Sequence, residues 1–276
     1  MVRFSKRGRL NREELTDEQW ARLAPLLPPQ RPRTGRPARD HRTVIGAILW
    51  VLRTGAPWRD LPERFGPWGT AYSRFRRWAA TGVWQLVLDS LQRDAEARGE
   101  LDRTTHYVDG TTVRAHQSAA GARGGQQKEA LGRSRGGFGT KVHLRAEGGG
   151  RPLVFLLSGG ERHEAAFFEA LMEAGEAERD AAGRAQRQPE RVVGDKGYSY
   201  DRVRAYLDHR GIEALIPLRS DQGENPGFDR AAYRGRNRIE RLVGRLKRWR
   251  RVATRYDKRA SSYLAVLTVV AIMLWL

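Results

Sequence analysis

The sequence predicts an α/β protein in two parts: a small all-α segment over residues 1–98, with helix-turn-helix character, and a unit over residues 102–276 built on a mixed five-stranded sheet flanked by helices. Two patterns predict it. Apolar residues recur at three- and four-residue spacing through residues 16–98, whereas short apolar runs alternate with helical stretches after residue 102. At 276 residues and 39% hydrophobic, the chain is long enough to give a small domain and one of ordinary size their own cores.

In the helical part, Thr16 followed three residues later by Gln19 is a capping box. It opens a helix to Leu27, which Pro28 and Pro29 end. A Gly/Pro/Arg-rich connector covers residues 31–37. Val44, Ile45, Ile48, Leu49 and Leu52 fall on one face of a second helix over residues 40–53. Gly55, Pro57, Gly66 and Pro67 then break the chain repeatedly, before a third helix at 70–80 and a fourth at 84–97. Arg74, Arg76 and Arg77 stand on the third among Tyr72, Phe75 and Trp78. A basic helix after a turn is what a helix-turn-helix DNA reader uses, so these arginines are candidate DNA contacts. The turn is longer than the usual one, and a solvated basic face on an ordinary bundle is the alternative. Trp20, Trp50, Trp58 and Trp78 are expected in the core.

In the second part, residues 105–108 read as a strand ending at Asp109. Residues 116–137, rich in Gly, Ala, Arg and Gln without periodicity, are expected to form a flexible loop. Strands at 138–146 and 152–158 join through Glu147-Gly148-Gly149-Gly150. A helix from 165 to about 178, a strand at 191–193 running into Asp195, a helix at 200–209, a strand at 212–218 and a long basic helix from 231 to about 251 follow. Consecutive strands with tight turns pair antiparallel, and strands joined through helices form right-handed parallel crossovers. The closing apolar run, residues 263–276, is shorter than the roughly 20 residues of a membrane span. It is expected as a buried core helix, with no membrane partner.

Charge points to the ligand. The chain carries 51 Lys+Arg against 32 Asp+Glu, a net charge of +19, and such a field draws polyanions. Only six of the basic residues are lysines, so Lys196 and Lys247 are more informative than a lone arginine. The absence of cysteine excludes disulfides, a thiol nucleophile and cysteine-based zinc sites, and fits a reducing cytoplasm. The N-terminus shows no apolar stretch of a secretory signal.

Three acids stand out by position. Asp109 precedes Gly110-Thr111-Thr112, and Asp195 joins Val192-Val193 to Lys196-Gly197-Tyr198. Glu240 lies among thirteen basic residues between positions 230 and 259, where the only other acid is Asp257. Taken singly they read more readily as a hairpin turn, a helix cap and an Arg-paired surface residue. Together they suit phosphodiester cleavage. Mg²⁺ takes oxygen ligands, and two ions about 3.5–4 Å apart clamp the attacking and leaving oxygens of an in-line displacement. If the first and fourth strands are neighbours, Asp109 and Asp195 meet beside a topological switch point. Tyr233, Arg236, Glu240, Gly244 and Lys247 step by three or four residues along one helical stripe, beside an apolar stripe of Ile239, Leu242, Val243, Leu246 and Trp249.

These residues carry a family resemblance. Tyr107-Val108-Asp109-Gly110-Thr111 resembles the first catalytic block of the DDE transposases of bacterial insertion sequences, and Val193-Gly194-Asp195-Lys196-Gly197-Tyr198 resembles the second. Tyr233, Arg236, Glu240 and Lys247 match the Y-x2-R-x3-E-x6-K signature of the third. Leu15-Thr16-Asp17-Glu18-Gln19-Trp20 and Gly55-Ala56-Pro57-Trp58-Arg59-Asp60-Leu61-Pro62 resemble the helical N-terminal domain of the insertion-sequence-five group. The resemblance implies a ribonuclease H-like core with Asp109, Asp195 and Glu240 as catalytic metal ligands for two Mg²⁺ ions, Mn²⁺ being the substitute. It implies cleavage at terminal inverted repeats and strand transfer into target DNA by a homodimer or larger assembly, in a bacterial cytoplasm in association with the nucleoid. Tyr233, Arg236, Lys247 and Lys196 are the DNA contacts expected at the site. A nuclease without strand transfer and a non-catalytic DNA-binding protein are the alternatives. Lys141, His143 and the His163-Glu164 pair are weaker candidates, and His143 reads first as a structural histidine.

Overall fold

In a computed structural model, which describes residues 15–31, 39–122, 124–174, 188–223 and 225–276, the N-terminal helices start on the residues that cap them. Thr16 Oγ1 accepts from the Gln19 amide and Gln19 Oε1 from the Thr16 amide, each at 3.1 Å. This satisfies donors that a helix start leaves without partners, and α1 spans Asp17–Leu23. Asp40 caps α2, His41–Thr54, by accepting from the Thr43 amide at 2.8 Å, and Gly55 ends it in the left-handed region at φ 73°. Helices α3, Trp68–Ala80, and α4, Val83–Ala97, follow. Most of the 31–37 connector lies outside the described residues. Trp58 and Trp78 are buried, and Trp20 and Trp50 pack on the same core.

The second part begins with β1, Thr105–Ala115, followed by a one-turn helix α5, Gly125–Lys128, and strands β2, Gly132–Ser134, β3, Gly137–Ala146, and β4, Pro152–Gly159. Then come α6, Phe168–Glu173, β5, Arg191–Val193, α7, Asp201–His209, and β6, Glu213–Leu215. The chain closes with α8, Arg230–Tyr233, α9, Asn237–Lys247, α10, Arg250–Ala253, β7, Thr254–Arg255, and α11, Ala260–Trp275. The main sheet runs β4-β3-β1-β5-β6. Its first three strands are antiparallel and β1, β5 and β6 are parallel, the ribonuclease H-like arrangement. Strands β2 and β7 extend it beside β3 and β1, so the sheet has seven strands among the described residues rather than five.

Four other expectations are corrected. Strand β1 does not end at Asp109. It pairs with β3 from Tyr107↔Ala146 to Arg114↔Gly139, because Thr111, Thr112 and Val113 are β-branched and extend the ladder. Residues 116–137 are not without structure: they hold α5, β2 and buried Ala119, Ala130 and Leu131. The tie is Arg255, fully buried, whose Nη1 donates to the Ala130 carbonyl at 3.1 Å and to Thr140 Oγ1 at 2.6 Å. The long basic helix is three pieces, interrupted by a 3₁₀ turn at Arg234–Arg236 and again at Trp249, whose extended backbone seats its ring against Arg53. Gly235 sits so close to Tyr107 that a Cβ would come within 2.5 Å of its hydroxyl. The helix expected from 165 is a 3₁₀ turn, Glu164–Phe167, leading into α6, and its expected end lies outside the described residues.

Two apolar clusters sandwich the sheet. Phe168, Leu171 and Met172 of α6 and Val203 and Leu207 of α7 cover one face. The other is larger and continuous, joining β1, β3 and β4 to α9, α11 and the N-terminal helices. The apolar C-terminal run is the buried helix expected, with Val266, Leu267, Val269 and Val270 at 2% exposure or less. Its Trp275 Nε1 donates to the Pro152 carbonyl, and Arg22 of α1 donates to the Leu276 and Trp275 carbonyls. Among the described residues, no helix is long and apolar enough to cross a membrane.

Candidate active site

Side chains alternate along β1, so Tyr107, Asp109 and Val113 face α9 while Val108 and Gly110 face α6. Strand β5 lies parallel beside β1, with Tyr107 opposite Val193. Asp195 follows two residues on and therefore comes next to Asp109 at the point where strand direction switches. Asp195 also caps a 3₁₀ turn, Lys196–Tyr198, accepting from the Gly197 amide at 2.8 Å. Glu240 comes from α9, which packs on the sheet by Ile239, Leu242 and Leu246 and leaves Glu240 more than half exposed.

Arg236 joins the three acids. Its Nη2 lies 3.6 Å from Asp109 Oδ1 and 4.0 Å from Asp195 Oδ2, and its Nη1 donates to Glu240 Oε1. Burial pushes the Asp109 carboxyl up to about 6; Arg236 and a bond from the Gly110 amide oppose this, while Asp195 and Glu164 reinforce it. Arg236 is raised in turn: its burial works against the charged form, but Asp109, Tyr233, Glu240 and Asp195 outweigh that. Beneath the acids lies Tyr198, fully buried, its phenol held well above its usual range by burial and then by Glu164, Asp109 and Asp195.

The structure adds a fourth acid. Glu164, read from sequence only as half of a weak His163-Glu164 pair, lies against Gly110, where a Cβ would come within 2.4 Å of its Cγ. It also borders Gly197, and Lys141 of β3 donates to its Oε1 at 2.8 Å. Gly194 faces Tyr198 and Val108, which a Cβ would meet at 3.1 Å. The glycines of both acidic blocks thus admit Glu164 and Tyr198. Their presence beside each aspartate was the only sequence signal for that packing.

The remaining candidates fall in different places. Tyr233 lies near the acids, its phenol raised by burial, with Asp195, Glu240 and Asp109 adding to that and Arg236 opposing. Lys196 and Lys247 are exposed. His143, read first as a structural histidine, is buried and bonded through Nε2 to Ser158 Oγ at 2.8 Å, while its Nδ1 has no partner among the described residues; it is stacked on Phe167 and pushed down to about 4 by burial and by Lys141. His163 Nδ1 accepts from the Ala165 amide. Arg74 is a correction. It is 7% exposed, it donates to His41 Nδ1 at 2.9 Å, and its guanidinium lies over Trp78. The Pro28 carbonyl holds the other ring nitrogen of His41 at 2.9 Å. Arg74 thus faces the core of the helical part, and Arg76 and Arg77 are the exposed cations of α3.

The donor set suits a hard divalent ion, being carboxylate without sulfur or imidazole. A desolvated carboxyl such as Asp109 gains from a nearby cation, a position that the Arg236 guanidinium takes in this arrangement. Among the described residues, no three acidic or histidine side chains close round a common point as they stand. Three anions gathered by one arginine nevertheless form a site with the charge and ligand type for such an ion.

Comparison with known proteins gives two family matches. Residues 101–276 match the family described as "Transposase DDE domain", and residues 15–88 match "Putative transposase of IS4/5 family". The chain is 38% identical over 109 residues to the uncharacterized protein y4sN of Sinorhizobium fredii, covering 40% of this chain and 82% of that one. It is 30% identical over 130 residues to a putative transposase for insertion sequence element IS402 of Burkholderia cepacia, covering 47% of this chain and 59% of that one. Among solved structures, a piggyBac transposase synaptic complex with hairpin DNA aligns over 94% of this chain and 72% of its own, at a TM-score of 0.47 and 10% identity.

Proposed function

The chain belongs to the DDE transposase family, enzymes that cleave DNA and transfer the cut strand, and from that premise we propose that Asp109, Asp195 and Glu240 are its catalytic metal ligands. The observation that carries the reading is that one guanidinium, Arg236, reaches all three acids from three separate elements. The three carboxylates would hold two Mg²⁺ ions, with Mn²⁺ as substitute. Such ions supply Lewis-acid stabilisation of the attacking and leaving oxygens of an in-line displacement.

The chain's own residues do the rest. The Asp109 carboxyl must be ionised to serve, and Arg236 favours that form. Arg236 can exchange the acids for a phosphate oxygen, to which a guanidinium donates in a bidentate fork. Tyr233 closes one side of the acidic cluster, while exposed Lys196 and Lys247 meet the DNA backbone. Water attacks the phosphodiester at a terminal inverted repeat and releases a 3′-hydroxyl. That hydroxyl attacks a target phosphodiester, displaces its 3′-oxygen and joins the strands. Arg76 and Arg77, the exposed cations of α3, would contact the repeats, and a homodimer or larger assembly would pair two ends.

The test is Glu240→Gln with end-bearing DNA in Mg²⁺. Cleavage and strand transfer are expected to vanish while DNA affinity stays near that of the unaltered protein. Cleavage at the unaltered rate would refute the assignment.

A further inference from the structure

Helix α9 has a third face. Arg238, Arg241, Arg245 and Arg248 step by three, four and three residues, so they line one side of the helix, turned away from both the Glu240 stripe and the buried stripe of Ile239, Leu242 and Leu246. With Gly149 and Gly244 they line a cleft of about 610 Å³ between α9 and the turn joining β3 to β4. None of these six residues carries a negative charge.

The cleft is built, not merely basic. Arg238 Nη1 donates to the Gly148 carbonyl at 2.8 Å and to the Tyr107 hydroxyl at 3.1 Å. Arg245 Nη2 donates to the Gly150 carbonyl at 2.6 Å, and its Nε is buried with no partner among the described residues. The acid acting on Arg245, Glu147, is fully buried and committed to its own turn: its oxygens accept from the amides of Asp102, Gly149 and Arg151 and from Arg151 Nε. Burial lowers Arg245, and Arg241 and Arg248 lower it further, with Glu147 partly compensating. The fold therefore holds four like charges together, at a cost in self-repulsion that a polyanion removes. Gly244 offers nothing within 4 Å of where a Cβ would stand, so the floor of the cleft is open to a bulky ligand.

We propose that Arg238, Arg241, Arg245 and Arg248 form a phosphate track, separate from the catalytic face, along which a DNA duplex lies without regard to its sequence. Guanidinium forks match phosphate oxygens and read no base. From Arg238 to Arg248 the helix rises about 15 Å, the length of roughly four base-pair steps. Because α9 also carries Glu240, a duplex on the track has its path set relative to the acids by one rigid element. The proposal rests on the transposase reading for the choice of DNA as the polyanion.

The experiment is a salt titration of binding to a random-sequence duplex. In the R241Q/R248Q double variant, both side chains being exposed, the slope of log affinity against log salt should fall by about 2. The R93Q/R98Q variant, with the same net charge but altered on and just after α4, should keep the unaltered slope. An unchanged slope in R241Q/R248Q, or an equal fall in R93Q/R98Q, overturns the track. Cleavage of end-bearing DNA by the unaltered protein is measured alongside. Lost slope without cleavage supports the track and strikes the catalytic reading, whereas cleavage with an unchanged slope strikes the track alone.

Discussion

Arg236 Nη2 stands 3.6 Å from Asp109 Oδ1, so the turn that leads into α9 supplies the counter-charge for an acid in the middle of β1. The pair spans 127 positions of sequence and is partly buried on both sides, where Coulomb attraction is less screened than at the surface. It couples the protonation of the strand acid to the placing of the helix that carries Glu240.

Replacing Arg236 by Gln should therefore move the acid limb of the pH–rate profile. Removing a cation disfavours the carboxylate, so the limb governed by Asp109 shifts to higher pH. The measurement is strand cleavage against pH for both proteins at one metal concentration. A lower rate with the limb unmoved would show that Arg236 acts on DNA alone.

Asp109 should weaken the fold as it ionises. Its folded value of about 6 is above the ordinary 3.8, so the penalty is absent below about 3.8, grows as pH rises, and is complete above about 6. The shift corresponds to at most about 3 kcal/mol. In chelator, Asp109→Asn should melt higher than the unaltered protein at pH 7, with the gap closing toward pH 4. A gap that does not change with pH would contradict this.

Gly110→Ala should expel Glu164, since the added Cβ would come within 2.4 Å of its Cγ and 2.8 Å of its Cδ. Overpacking of this kind costs about 1–3 kcal/mol. In a double-mutant cycle the cost should largely disappear when Glu164 is also Ala. Additive losses would mean that the glycine serves backbone freedom instead of the carboxylate.

On α3, Arg74 and Arg77 should separate stability from binding. Arg74→Ala removes the buried donor to His41 and should cost about 1–3 kcal/mol in denaturant melts. Arg77→Ala, at an exposed position, should leave stability within about 0.5 kcal/mol and weaken binding to the terminal repeat. The reverse pattern would restore Arg74 as a DNA contact.

Much of this was legible along the chain. The capping box at Thr16, the strand pattern from 138 to 158, the short strand entering Asp195 and the apolar closing helix are local signals, and each appears where its own residues place it. The periodicity that predicted one long helix from 231 could not register its breaks, because Gly235 yields to Tyr107 and Trp249 to Arg53 across the fold. Nor could it tell Arg74 from Arg77, since the difference is which side of α3 meets His41. Glu164 entered the site through Lys141 and Gly110, neighbours only once β3, β1 and the turn before α6 are assembled. By itself the sequence determined the family and singled out the three acids as candidates, both carried by short-range spacing and residue chemistry. Tertiary structure alone decided which cations face those acids and which face the core. Long-range packing sets the burial and counter-charge of an ionisable group, and those in turn set its chemistry.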